Sequence, residues 1–266
     1  MRVRRRFPVP LPSHIDRPPA LSRRTIVSTW AQAIAGLAVA KAISFVEPTG
    51  LLAANLAGVA AFLFIVLPEA RLRERGEGWD VYGLPWDGLG DPRTWRAWGR
   101  GAAVALGVAA LVFPLFALGF AAFAVALPAL PPALARTLAP YVGAPRLAFR
   151  LPDGFAVLAL VQLLVVALPE ELFYRGFVQT AWARTAPERG VTVLGARLGA
   201  GFVWTQLLFA AGHLVALQPW RLGTFFPGLL FGWLRARTGS LAAPVILHAL
   251  SNLLIATLEA SFYGAR

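Results

Sequence analysis

The sequence predicts an all-α fold, a polytopic transmembrane helix bundle, and three observations support this. Of 266 residues, 58% are hydrophobic and only 14% charged, whereas a soluble domain carries about 25% charged residues. The apolar residues gather into seven runs, near 25–46, 50–68, 101–126, 155–175, 199–217, 223–236 and 241–262, most of them close to the length that crosses a hydrocarbon core of about 30 Å. Arginine is distributed unevenly between the connecting segments. With a cytoplasmic N-terminus, the inner segments carry 7, 6, 4 and 2 arginines and the outer ones 0, 3, 1 and 1, the asymmetry that sets membrane orientation.

That asymmetry also accounts for the net charge of +12. The basic residues lie at the ends of spans and not on one face, so they describe topology in a lipid bilayer and argue against nucleic acid as a partner. Cysteine is absent, which excludes disulfides and thiolate metal sites. The Arg, Ala, Gly and Pro bias resembles that of a GC-rich bacterial genome.

Taken in order, residues 1–24 form a basic Pro- and Arg-rich cytoplasmic tail containing His14, a solvated loop histidine. The first apolar run is too long and too late for a cleaved signal peptide and is expected to remain attached. Its Lys41 can snorkel to the outer interface. Residues 25–149 supply N-terminal membrane helices and loops. Loop 69–100 sets Trp79, Tyr82, Trp86 and Trp95 among charges, as in an interfacial aromatic belt. Its Gly88-Leu89-Gly90-Asp91 imitates an intramembrane aspartyl protease motif, but Asp91 lies outside any apolar run and a second intramembrane aspartate is missing. Run 101–126 reads as a scaffold helix. The prolines at 128, 131, 132, 140, 145 and 152 forbid a continuous helix across 127–154, which reads as an outer loop with short interfacial turns. Residues 150–262 form the membrane core that carries chemistry.

Three polar sites interrupt that core. Glu170 and Glu171 end the apolar run 155–168, where an ionisable group costs about 2.5–3.5 kcal/mol on insertion scales and calls for a partner. Glu171 and Arg175, four apart, share a helix face, which turns Glu170 away as a candidate general base. An ion-pair cluster ending a helix is the plainer reading. Phe209 and His213 form the second pair, beside small residues at 210–212 that admit a close backbone. His248 and Asn252, again four apart, form the third. Either histidine site could instead be interhelical glue. Depths of roughly 22 Å for Glu170 from the outer start of its span, and of roughly 20 Å for His213 and 10 Å for His248 from their inner ends, allow the three to meet in the cytoplasmic half.

A glutamate, two histidines and an asparagine suit hydrolysis. Glu170 with His213 could polarise a water, or Glu170, His213 and His248 could hold a divalent metal such as zinc that does so. His248 and Asn252 could donate to the oxyanion of an attacked peptide carbonyl. In their order and spacing, Glu170-Glu171-x-x-x-Arg175, Phe209-x-x-x-His213 and His248-x-x-x-Asn252 resemble the three motifs of the CPBP family, the CAAX-processing endopeptidases and bacteriocin-processing or immunity (Abi) proteins. The resemblance covers about residues 150–262. It implies an intramembrane endopeptidase with a cavity open to the cytoplasm. Glu170 and His213 would activate water, His248 and Asn252 would face the oxyanion, and Glu171, Arg175 and Phe209 would support them. It implies a protein or peptide substrate cut near its C-terminus or close to the membrane.

Two other classes stay open at this point, a proton-coupled transporter using the same residues as a relay and a non-catalytic immunity protein. No His-Glu-x-x-His or Gly-x-Ser-x-Gly motif occurs. Gly228-Leu229-Leu230-Phe231-Gly232 predicts close helix packing.

Overall fold

The computed structural model describes residues 20–141, 143–185 and 189–264. Most of the basic tail, His14 included, lies outside the described residues. All seven apolar runs are helical. They form α1 (Arg23–Ile43), α3 (Leu56–Arg73, preceded by the single turn α2, Leu51–Ala54), α4 (Pro92–Ala126), α6 (Phe155–Ala183), α7 (Ala200–Gly212), α8 (Phe225–Thr238) and α9 (Ala242–Tyr263). The short α5 (Pro132–Leu138) lies in the Pro-rich linker, as its prolines require.

Four of these helices, α1, α4 (counted to Ala129), α6 and α9, are long and apolar enough to cross a membrane on length and composition alone. Helix α7 is apolar but short, α8 has 14 residues, and α3 carries Glu69, Arg71 and Arg73 in its last turns. The seven expected spans therefore divide into four of full length and three shorter helices. On α4, Leu106, Leu111, Leu115 and Leu118 are 56–72% exposed, an arrangement that suits hydrocarbon as the surrounding solvent. The chain is a multi-pass membrane protein.

Helix α4 is longer than its apolar run. Asp91 accepts a hydrogen bond from the Arg93 amide at 2.8 Å and Pro92 takes the first helical position, so the helix starts nine residues early and spans 35 residues, about 52 Å. The aspartate of the Gly88–Asp91 motif is thus a helix cap. Between α6 and α7, where only a connecting loop was expected, Val191–Val193 pairs with Ala196–Leu198 in an antiparallel hairpin. Leu194 and Gly195 both have positive φ, the conformation of a tight two-residue hairpin turn.

Helix α6 forms the centre of the bundle. It is α-helical at Phe155–Val161, Leu168–Glu171 and Thr180–Ala183, and π-helical at Gln162–Ala167 and Leu172–Gln179. Pro169 has no amide hydrogen to give to the carbonyl four residues back, and its ring crowds that carbonyl. The wider turn before it relieves the clash. From Leu172 to Gln179 every residue is buried, within a core of Phe64, Phe173, Tyr174, Phe177 and Phe209. On the other side α4 runs along α9. A Cβ on Gly101 would lie 2.5 Å from the Ala242 Cβ, so glycine is what lets these two helices touch.

The expected interfacial loop docks onto the end of α6. Glu77 accepts hydrogen bonds from Arg184 at 2.6 Å, Arg75 at 3.1 Å and the Tyr82 hydroxyl at 2.7 Å. Burial pushes the Glu77 carboxyl up, but the bonds from Arg184, Arg75 and Tyr82 outweigh it and hold the group at about 2. Burial and the bond to Glu77 push Tyr82 up to about 12. Arg235 of α8 reaches the same place, donating to the Tyr82 carbonyl at 3.1 Å and to the Thr180 hydroxyl at 2.9 Å.

Candidate active site

The short α-helical turn Leu168–Glu171, between the two π segments, aims both glutamates into the bundle. Glu171 is fully buried and its Oε1 accepts two hydrogen bonds, from Arg175 Nη1 at 2.8 Å and from His248 Nδ1 at 2.9 Å. A carboxylate oxygen only accepts, so the proton of the neutral imidazole sits on Nδ1 and the Nε2 lone pair points away from Glu171. Nε2 faces Glu170, 3.9 Å from its Oε2. That oxygen is buried without a hydrogen-bond partner among the described residues.

Arg175 is held through both terminal nitrogens, while its buried Nε has no partner among the described residues. Its Nη2 donates to Gln206 Oε1 at 3.0 Å and to the Gly228 carbonyl at 3.1 Å, and its guanidinium lies 4.2 Å from the Phe209 ring centre and 5.3 Å from that of Phe231. Five donors on a rigid planar fork serve several acceptors at once, which a lysine ammonium cannot match. One turn on, Gln179 donates to the Gly232 carbonyl at 3.0 Å. Both glycines of the Gly228–Gly232 motif thus meet α6 through their carbonyls. A Cβ on Gly228 would come within 3.0 Å of Gln206 and Phe209, so the expected close packing is present. Phe231 lies between them and stacks on the His248 ring, with centroids 4.7 Å apart at 18°.

The other expected residues sit around this cluster. His213 caps α7 and its Nδ1 donates to the Phe209 carbonyl at 2.8 Å, leaving the Nε2 lone pair free. The Phe209 ring stands between the imidazoles, 4.7 Å from His213 and 6.1 Å from His248. No carboxylate oxygen lies within 4 Å of His213 among the described residues, so the histidine beside Glu170 is His248. Asn252 donates through Nδ2 to Gln162 Oε1 at 2.8 Å.

Gln206, Gln162 and Phe231 escaped the reading of the sequence. Gln162 and Gln206 did carry a signal, since a carboxamide inside an apolar run needs a partner as an ionised group does. Phe231 carried none, because an aromatic in a membrane helix is unremarkable. As for a metal, the lone pairs of both Nε2 atoms suit one, but among the described residues no three His, Asp or Glu side chains gather into a ligand set. The described donors as arranged therefore do not fit a bound ion.

The cluster is a carboxylate–imidazole–carboxylate chain in which Glu171 is clamped through Oε1 by an arginine, Glu170 is not, and each carboxylate keeps one buried oxygen without a partner among the described residues. Such an arrangement can hold a water and exchange protons with it. Neither a curated protein nor a solved structure matches the chain. A family model described as Rce1-like, type II CAAX prenyl endopeptidase, matches residues 152–254, the stretch that contains every residue of the cluster. Over residues 152–254 the chain is thus similar to the Rce1-like, type II CAAX prenyl endopeptidases of the CPBP family.

Proposed function

We propose that the protein is an intramembrane endopeptidase that cuts a peptide bond near the C-terminus, or in the membrane-proximal part, of a protein substrate, and that Glu170 is its general base. One observation carries the reading. Both Glu170 Oε2 and Glu171 Oε2 are buried without a partner among the described residues, but Glu171 is fully buried and held through Oε1 by Arg175 and His248, whereas Glu170 is partly exposed and its Oε2 lies 3.9 Å from His248 Nε2. A water about 2.8 Å from each of these atoms fits that gap, with the two contacts roughly 90° apart. Glu170 takes its proton, and the oxygen attacks the substrate carbonyl. The developing oxyanion is met by the second Nδ2 hydrogen of Asn252, while the Nε2 lone pair of His248 orients the attacking water through its other hydrogen. The proton on Glu170 then passes to the departing amine, so that water is divided between the two products. Glu171 and Arg175 fix the ring of His248, and His213 with Phe209 forms the far wall.

The match over residues 152–254 supports peptidase chemistry in general terms. The arginine asymmetry supports a cytoplasmic N-terminus, and the Arg, Ala, Gly and Pro bias supports a bacterial inner membrane. The test is cleavage of a membrane-anchored reporter peptide by the purified protein in proteoliposomes. Glu170→Gln and His248→Ala are expected to lower kcat by about 10²-fold or more each, and chelation to leave it unchanged. Wild-type cleavage that survives Glu170→Gln would remove Glu170 from the role of base.

A further inference from the structure

A second site lies beyond Asn252 on the same helix. Between α4, α9, the chain after α5 and the 3₁₀ turn Pro219–Thr224 is a cavity of about 170 Å³. It is lined by Phe116, Phe120, Phe123, Tyr141 and Trp220, with Ile255 and other small or aliphatic residues completing it. The Phe120 and Tyr141 rings meet at 68° with centroids 5.7 Å apart, forming a corner of two aromatic walls. Tyr141 is fixed from behind by Tyr263, stacked at 4.6 Å and 10°. Its hydroxyl donates to Glu259 Oε1 at 2.9 Å. Burial, and then the Glu259 charge, push the Tyr141 phenol above its usual range, so it stays a neutral donor to the carboxylate.

Three features narrow what this cavity can take. It is smaller than the roughly 300 Å³ at which sites for drug-sized ligands begin, so its guest is a single compact group. Its polar side-chain atoms are one phenol already committed to Glu259 and one indole N–H. A sugar, phosphate or carboxylate would find no converging donors there. The cavity wall carries no charged side chain, its aromatic faces carry negative charge density, and the carboxylate behind it, Glu259 on the Tyr141 hydroxyl, has no Lys, Arg or His within 4 Å among the described residues. A cation that needs no hydrogen bonds satisfies all three conditions.

We propose that this aromatic cavity binds a quaternary ammonium group, held against Phe120, Tyr141 and Trp220, with the Glu259 carboxylate behind Tyr141 adding to the attraction. The group can arrive on a choline-type lipid headgroup or on a small soluble quaternary amine, and the proposal is independent of proteolysis.

The test is binding of radiolabelled choline to the full chain in maltoside detergent. Saturable binding is expected, about tenfold weaker in Glu259→Gln and in Trp220→Leu. The neutral isostere 3,3-dimethylbutan-1-ol is expected not to compete. Equal competition by that alcohol, wild-type affinity in Glu259→Gln, or no saturable binding would each overturn the proposal. Circular dichroism and the thermal midpoint of each variant separate loss of the site from loss of the fold. Nanodiscs identify the source. Choline binding that persists in phosphatidylglycerol discs but vanishes in phosphatidylcholine discs assigns the site to a lipid headgroup, and equal binding in both assigns it to a soluble amine.

Discussion

Replacing Arg175 by methionine tests the architecture of the site more severely than removing a catalytic group. The side chain is fully buried, and it is the cation that meets Glu171 at 2.8 Å while also satisfying Gln206 and the Gly228 carbonyl. Methionine preserves much of the volume over Phe209 but leaves a buried carboxylate without its countercharge. Removing one member of a buried pair costs about 3–5 kcal/mol. If that figure stems from the stranded charge, neutralising Glu171 as well must return part of it. We therefore expect Arg175→Met to lower unfolding free energy by about 4 kcal/mol, and the double variant Arg175→Met/Glu171→Gln to lie about 2 kcal/mol above the sum of the two single losses. The assay is reversible unfolding in mixed micelles for all four proteins, followed by far-UV circular dichroism. Additive losses, with coupling under about 0.5 kcal/mol, would show that Arg175 acts through packing and hydrogen bonds to α7 and α8, and that the ion pair is incidental.

Other outcomes follow from the same structure. Gly232→Ala drives a Cβ into Gln206 Nε2 and to 3.0 Å from Gln179 Oε1 and the Phe202 ring, and is expected to destabilise by about 1–3 kcal/mol. Gly223→Ala, with nothing within 4 Å, serves as its control in the same unfolding assay. Glu77 is held at about 2 in the folded protein, below the roughly 4.3 of an unfolded glutamate. Its contribution to stability is therefore complete above that upper value and lost as pH falls toward 2. Thermal midpoints measured from pH 6 to pH 2.5 should drop more for wild type than for Glu77→Gln, and parallel curves would contradict the assignment. Asp91→Asn should leave peptide cleavage unchanged and lower stability only slightly, because asparagine caps a helix as well as aspartate does and only the exposed pair with Arg93 is lost. Abolished cleavage with intact folding would point to aspartyl chemistry instead.

Hydrophobic runs and arginine placement made the helices legible, because a bilayer demands continuous apolar stretches and internally satisfied backbones. The early start of α4 was also legible in principle, since Asp91-Pro92 is a cap followed by a first-turn proline. The hairpin at Val191–Leu198 was not, because a three-residue strand leaves almost no periodic signal. At the site, the four-residue spacing of Glu171 and Arg175 foretold their pairing. Spacing could not foretell which histidine stands beside Glu170. That depends on how α9 and α7 rotate against α6, and the rotation is set by close approach at Gly101 and Gly228 and by the stack of Phe231 on His248. Tertiary packing, not local pattern, chooses between the two imidazoles.

The two π segments of α6 have a consequence for its length. A π turn takes up one residue more than an α turn over nearly the same rise, so this helix stores slack on both sides of Leu168–Glu171. The stored residues uncouple three azimuths. Gln162 is turned toward Asn252, the glutamates toward His248, and Gln179 toward Gly232, directions that a uniform α-helix of the same sequence would offset by about 100° for each residue taken up. Deleting one residue within 162–167 would draw that slack tight and swing the first two turns of α6 around the axis, while the glutamate turn kept its aim. The glutamate turn is thus bracketed by wider turns on both sides, so a one-residue change in length upstream has a place to be taken up before it reaches Glu170 and Glu171.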